Sequence, residues 1–231
     1  MKSKEILIKK ELFQLSNELG LKYNPNWFNF IWIKKEQETL TEYLSDCKNP
    51  IYERYGKTLQ ERIKNLNKFY NSLDYQSCIK RYGGQVFNKK SISLLKKSMK
   101  KITNKEILKI LDDLLIRIKK HNPRFNKIAL LTETKREDEL KILYYRVLRH
   151  EWIHILLDEN KIRFKNWRYN EGLVIYFEAY LDNILSRLEK PLKREECSFN
   201  IECFKKAVYF KRFLGDKPEI SRIRGLMRKV N

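Results

Sequence analysis

His150-Glu151-Trp152-Ile153-His154 and, a short connection later, Asn170-Glu171-Gly172-Leu173-Val174-Ile175-Tyr176-Phe177-Glu178 are the stretches on which this 231-residue sequence turns. Thr134 and Glu137 form a capping box ahead of the first, and predict a helix running to about Asp158. On that helix His150 and His154 are four residues apart. They therefore share a face and can present two imidazoles to one ion. Glu151 sits beside the face, where a carboxylate can take a proton from water polarised by that ion, the arrangement a zinc hydrolase needs. The chain has three histidines, two of them in this motif. At that frequency a chance His-Glu-x-x-His arises in about one of several hundred chains of this size, so the pattern reads as a site.

A tetrahedral zinc site takes a third protein ligand and keeps one position open. A second helix is predicted over 170–189, ending before Pro191, with Glu171 near its start. Glu178 lies seven residues on and returns to nearly the same face. Glu171 can complete the ligand set, and Glu178 can orient a ligand histidine from behind. Taken without the histidines, the two glutamates read equally as an ordinary solvated helix face.

Outward from this core the chain reads as helical. Only 7 Gly and 5 Pro punctuate it, which disfavours a many-turned β-sandwich and favours long helices. Helical patterns cover 3–19, closed by Gly20; Pro25–Cys47, through the aromatic run Trp27–Trp32; and Leu59–Leu73. A further helix follows the capping box Thr103–Glu106, with Thr103 as N-cap, and stops at Asn122-Pro123. Tyr82–Gln85 reads as a turn, and Lys127–Thr132 as the one strand candidate. The expected class is α+β, predominantly α-helical. It divides into a basic helical module at 1–125 and a second part at 126–231.

At 42% hydrophobic and 13% aromatic the chain can bury a core, which excludes a disordered polycation. No apolar run approaches the ~20 residues of a membrane helix, and the N-terminus lacks a signal-peptide core, so a cytoplasmic protein without membrane contact is expected. Cys47, Cys78, Cys197 and Cys203 contain no CxxC pair and read as reduced, packed thiols.

The formal charge is +21, carried as +14 by residues 1–125, +1 by 126–190 and +6 by 191–231. Segment 80–109 holds ten basic side chains against Glu106 alone, a density that can bind the phosphates of a nucleic acid or an acidic partner. Lys outnumbers Arg 22 to 5 in residues 1–125, which disfavours base reading by guanidinium forks and equally fits a solvated, lysine-rich face. Tyr55-Gly56-Lys57-Thr58 ends like a phosphate-binding loop but lacks its earlier glycine and preceding strand. His121 reads as a helix-end residue.

HEWIH followed by NEGLVIYFE resembles the gluzincins, zinc peptidases whose aminopeptidase-type members carry a NEGxxxxxE pattern; the compact size is similar to the minigluzincins. The resemblance covers about residues 126–215. It implies a zincin, thermolysin-like core with a small sheet and an active-site helix, preceded by the helical N-terminal module. It implies His150, His154 and Glu171 as Zn2+ ligands, Glu151 as general base and acid, and Glu178 with Asn170 behind the ligands. It further implies Tyr209 as oxyanion stabiliser, and strand 127–132, through Ile128 and Leu130, as the binder of extended substrate. No GxMEN-type exopeptidase motif precedes the helix. The implied activity is zinc-dependent hydrolysis of peptide or protein substrates. Its rivals are a nucleic-acid-associated or regulatory protein with a zincin-like domain, and a latent, self-inhibited zinc protein.

Overall fold

The computed structural model describes residues 2–27, 29–45, 50–79, 83–121, 127–132, 137–189 and 201–231. They form a predominantly helical α+β protein with one three-stranded sheet. The helices are α1 Lys2–Glu18, α2 Lys35–Tyr43, α3 Leu59–Tyr70, α4 Leu73–Cys78, α5 Lys89–Met99, α6 Lys105–His121, α7 Glu137–Glu159, α8 Trp167–Leu181, α9 Ile201–Leu214 and α10 Ile220–Val230; the strands are β1 Phe30–Ile33, β2 Gly84–Asn88 and β3 Lys127–Thr132. No described helix is long and apolar enough to cross a membrane.

The chain divides into two compact units, Met1–Pro25 with Arg149–Asn231, and Asn26–Leu148. This is a different partition from the expected break at 125/126. Strand β3 pairs with β1 and β2, which holds it in the second unit. Helix α1 belongs to the first: Asn160 accepts a hydrogen bond from the Lys22 amide at 2.8 Å and donates one to the Lys22 carbonyl at 2.9 Å.

In the second unit the sheet order is β1-β3-β2, with β1 parallel and β2 antiparallel to β3. The expected helix through Trp27–Trp32 gives way here to β1, in which Ile31 and Ile33 face a core while Phe30 and Trp32 meet edge to face at 5.9 Å on the other side. β-Branched and aromatic residues at alternate positions fit a pleated, half-buried surface. Gly84 and Gln85, expected in a turn over Tyr82–Gln85, are instead the first residues of β2, and Tyr82 lies outside the described residues. The expected role of β3 as a substrate-binding strand is corrected. β3 is the middle strand, so its main chain is committed to partners on both sides, and Ile128 and Leu130 are fully buried. Augmentation needs an open edge.

Helix ends follow local chemistry. Asn104, not Thr103, caps α6, its Oδ1 accepting from the Glu106 and Ile107 amides at 2.9 and 3.1 Å. The Gly56-Lys57-Thr58 sequence is a helix start: Thr58 and Glu61 form a capping box on α3, and Gly56 takes a φ of +131°. The Leu59–Leu73 stripe breaks at Ser72, which caps α4 and leaves Leu73 87% exposed. His121 is the last residue of α6. Thr134, Asn122, Pro123, Cys47 and Cys197 lie outside the described residues.

In the first unit α8 packs on α9. Gly172 makes that approach possible, since a Cβ there would meet Lys206 Cβ at 2.4 Å and the Ala207 amide nitrogen at 2.9 Å. Phe164, Tyr176, Phe177, Phe210 and Ile223 fill the space around them.

Candidate metal centre

The site is built by α7 from Arg149 onward and by α8, both in the first unit. Four-residue spacing on α7 stacks the rings of His150 and His154 edge to face, with centroids 4.9 Å apart and their Nε2 atoms 3.2 Å apart. Glu171 closes the group from α8: its Oε2 is 3.2 Å from His150 Nε2 and its Oε1 3.2 Å from His154 Nε2. Two helical turns on, Glu178 Oε2 stands 3.1 Å from His150 Nδ1, and a carboxylate there assigns the proton to Nδ1. Each of the four side chains keeps about one fifth of its surface exposed, 19–21%.

The electrostatics follow from that packing. Burial disfavours a charged imidazolium at His150, but hydrogen bonds to Glu171 and Glu178, with their charges, outweigh it and raise the pKa well above the ordinary histidine value. For Glu171 burial disfavours the carboxylate. His154 and the hydrogen bonds from both histidines win, and hold its pKa far below the usual carboxylate range. The cluster therefore attracts positive charge.

The donor set fits a tetrahedral ion. Bonds of about 2.0–2.1 Å place ligand atoms about 3.3 Å apart around zinc. The Nε2–Nε2 separation of 3.2 Å matches that edge length, and each nitrogen lies 3.2 Å from one oxygen of the Glu171 carboxylate. Among the described residues, His150, His154 and Glu171 are the group of this kind. Two nitrogens and one carboxylate form a set suited to zinc and leave one position for another ligand.

Glu151 follows His150 on α7 and is 8% exposed. Asn170 hydrogen-bonds through its side chain to the main chain of Phe164. Its amide accepts from the Phe164 N–H at 2.8 Å and donates to the Phe164 carbonyl at 2.9 Å, pinning the α7–α8 connection one residue before Glu171. Tyr209 lies on α9, 37% exposed, its ring stacked on Phe213 and edge to face with Tyr169 and Phe210. The structure brings His150, His154, Glu171 and Glu178 together, while Ile128 and Leu130 belong to the sheet of the second unit.

One residue beside the site, Arg149, has no role in the sequence reading. Arg149 is 2% exposed and donates two hydrogen bonds of 2.7 Å to Asp182, the C-cap of α8, with Glu11 of α1 at 3.8 Å. The available signal was an arginine inside an apolar helix, since a buried guanidinium needs a carboxylate. Cys203 of α9 is fully buried, and burial, reinforced by the charge of Glu171, pushes its thiol up to about 12. Its proton stays on, in keeping with a packed thiol.

Compared with protein-family models, curated proteins and solved structures, the chain has no match.

Proposed function

We propose that the protein is a zinc-dependent peptidase, with a gluzincin-like core formed by α7 and α8. The observation that carries this reading is the convergence of His150 Nε2, His154 Nε2 and the Glu171 carboxylate, in which each nitrogen lies 3.2 Å from the other and 3.2 Å from one of the two Glu171 oxygens. A bound Zn2+ supplies Lewis acidity, polarising a peptide carbonyl and lowering the pKa of water to about 7. The chain's own residues do the rest. His150 and His154 hold the cation as neutral imidazoles, and Glu171 offsets part of its charge. Glu178 accepts a hydrogen bond from the His150 Nδ1–H, which fixes the tautomer and turns the Nε2 lone pair towards the ion. Glu151, adjacent to His150, takes the proton from the attacking water and passes it to the leaving amine. The partial exposure of the four side chains lets a peptide bond approach.

The test uses purified protein and three variants. Wild type holds one zinc per chain by elemental analysis and cleaves unstructured peptides. His154→Ala loses the metal. Glu151→Gln keeps it and loses about 10²–10⁴-fold in kcat, the usual contribution of a general base. A wild type that binds no zinc at micromolar concentration overturns the proposal.

A further inference from the structure

We propose that α5 is a docking surface for the sugar-phosphate backbone of nucleic acid, read without base contacts. The proposal is independent of the zinc reading, because α5 belongs to the other compact unit.

Three observations carry it. First, Lys89, Lys96, Lys97, Lys100 and Lys101 are all exposed, and no ion pair joins them to an acid among the described residues. At 3.6 residues per turn Lys89, Lys96 and Lys100 stand within about 40° of one another, with Lys97 about 80° from Lys89. The opposite side, through Leu95, Ser98 and Met99, is buried in the core of the unit. Second, part of the charge is unfavourable on the helix that bears it, although Lys96 and Lys97 in the last turn suit the macrodipole. Lys89 occupies the first turn, which contains no acid, where the macrodipole favours anions. Lys96–Lys100 and Lys97–Lys101 are like-charge pairs four apart, which repel. A polyanion laid along the stripe relieves both. Third, the geometry suits a row of phosphates. Lys89 to Lys100 spans about 16 Å of helix, about five steps of one strand at 3.4 Å each.

The chemistry selects the partner. Lysines are point charges that bind phosphate without the planar fork of base or carboxylate recognition. Because the apolar face is already buried, α5 has nothing to insert into a bilayer, so a lipid surface is disfavoured. Lys80 and Arg81, part of the same basic segment in sequence, lie outside the described residues.

Fluorescence anisotropy on the full chain tests this with two unrelated labelled 20-base-pair DNA duplexes. Both sequences bind alike, and log K falls against log salt with a slope of about −4 to −5, as expected for five neutralised phosphates. The triple variant Lys96→Gln, Lys97→Gln, Lys100→Gln flattens that slope by about 3. Its affinity at 100 mM salt falls at least about tenfold. The variant Lys57→Gln, Lys64→Gln, Lys68→Gln makes the same change in net charge on exposed residues at and before α3, and keeps the wild-type slope. Equal loss in the two variants overturns the proposal, because net charge and not α5 then binds. No binding at 50 mM salt also overturns it, as does polyglutamate or a phosphatidylserine vesicle binding as tightly as the duplex.

Discussion

His150 and His154 face each other through Nε2 atoms 3.2 Å apart, and both face a Glu171 carboxylate. With His150 Nδ1 donating to Glu178, neutral His150 turns a lone pair into this space, so the centre is relieved only by a proton or a cation. The two occupants give opposite pH dependences. In the metal-free protein the raised pKa of His150 contributes stability that is present below the ordinary value of 6.5 and lost as pH rises through the folded value. The lowered pKa of Glu171 contributes stability that is present above 4.5 and lost as pH falls through its folded value. The metal-free cluster is therefore most stabilising between those two ordinary values. On the proposed reading zinc competes with the proton on His150, so its affinity is expected to rise with pH and its binding to release a proton. Melting curves between pH 5 and 8, with zinc and with chelator, are expected to diverge as pH increases; a constant separation would contradict this competition. Glu178→Gln, which weakens the carboxylate behind His150, is expected to lower zinc affinity about 10–100-fold by titration against a chromophoric chelator.

At the scale of elements, the site depends on how α8 is held. Gly172 lets α8 approach α9 closely, and the atoms a Cβ would strike include backbone of α9, which cannot swing aside. Gly172→Ala is expected to cost about 1–3 kcal/mol through overpacking, read as a lower urea midpoint at unchanged m. The opposite end of α8 is held by Arg149 and Asp182. Asp182→Asn leaves a buried guanidinium undercompensated and is expected to cost about 3 kcal/mol, the low end for a broken buried pair because Asp182 is one-third exposed. Replacing Arg149 and Asp182 together by Met and Leu should cost less than Asp182→Asn alone; a larger loss on chemical denaturation refutes the argument. Neither device is legible at the level of periodicity. Gly172 reads as a helix-weakening residue until its neighbour is known, and Arg149 reads as one more surface cation.

For the whole molecule, the division into two units separates two kinds of behaviour. A ligand that binds only the folded state stabilises by RT ln(1 + [L]/Kd), about 2.7 kcal/mol at a hundredfold excess over Kd. The increment belongs to the structure that contacts the ligand. Hydrogen exchange with and without zinc is thus expected to show added protection in α8 and in α7 from Arg149 onward, and none in β1, β2 or β3. Protection that rises equally in the sheet would show a single cooperative unit instead. The charge divides in the same spirit. Residues 126–190, which contain the histidine and glutamate positions, are nearly neutral, and the lysine stripe of α5 lies in the other unit.

By itself the sequence determined what is local. The helical patterns of α1, α3 and α6, the edges of β3, and the two-histidine face of α7 follow from spacings within one turn or one pleat, whereas the helix expected over 170–189 ends at Leu181. Those contacts are made by residues near in the chain, whose geometry the backbone period dictates. The rest depends on contacts between segments distant in the chain. Phe30–Ile33 is a strand because β3 offers it hydrogen bonds, although its flanks are helical in pattern. β3 is a middle strand because β2 covers its other edge. Helix α1 joins the site-bearing unit through Asn160 and Tyr180. Glu171 reaches the histidines because Gly172, Asn170 and the Arg149–Asp182 pair place α8 against its neighbours. Meetings between distant segments are chosen by burial and by the pairing of buried polar groups, which no spacing along the chain encodes.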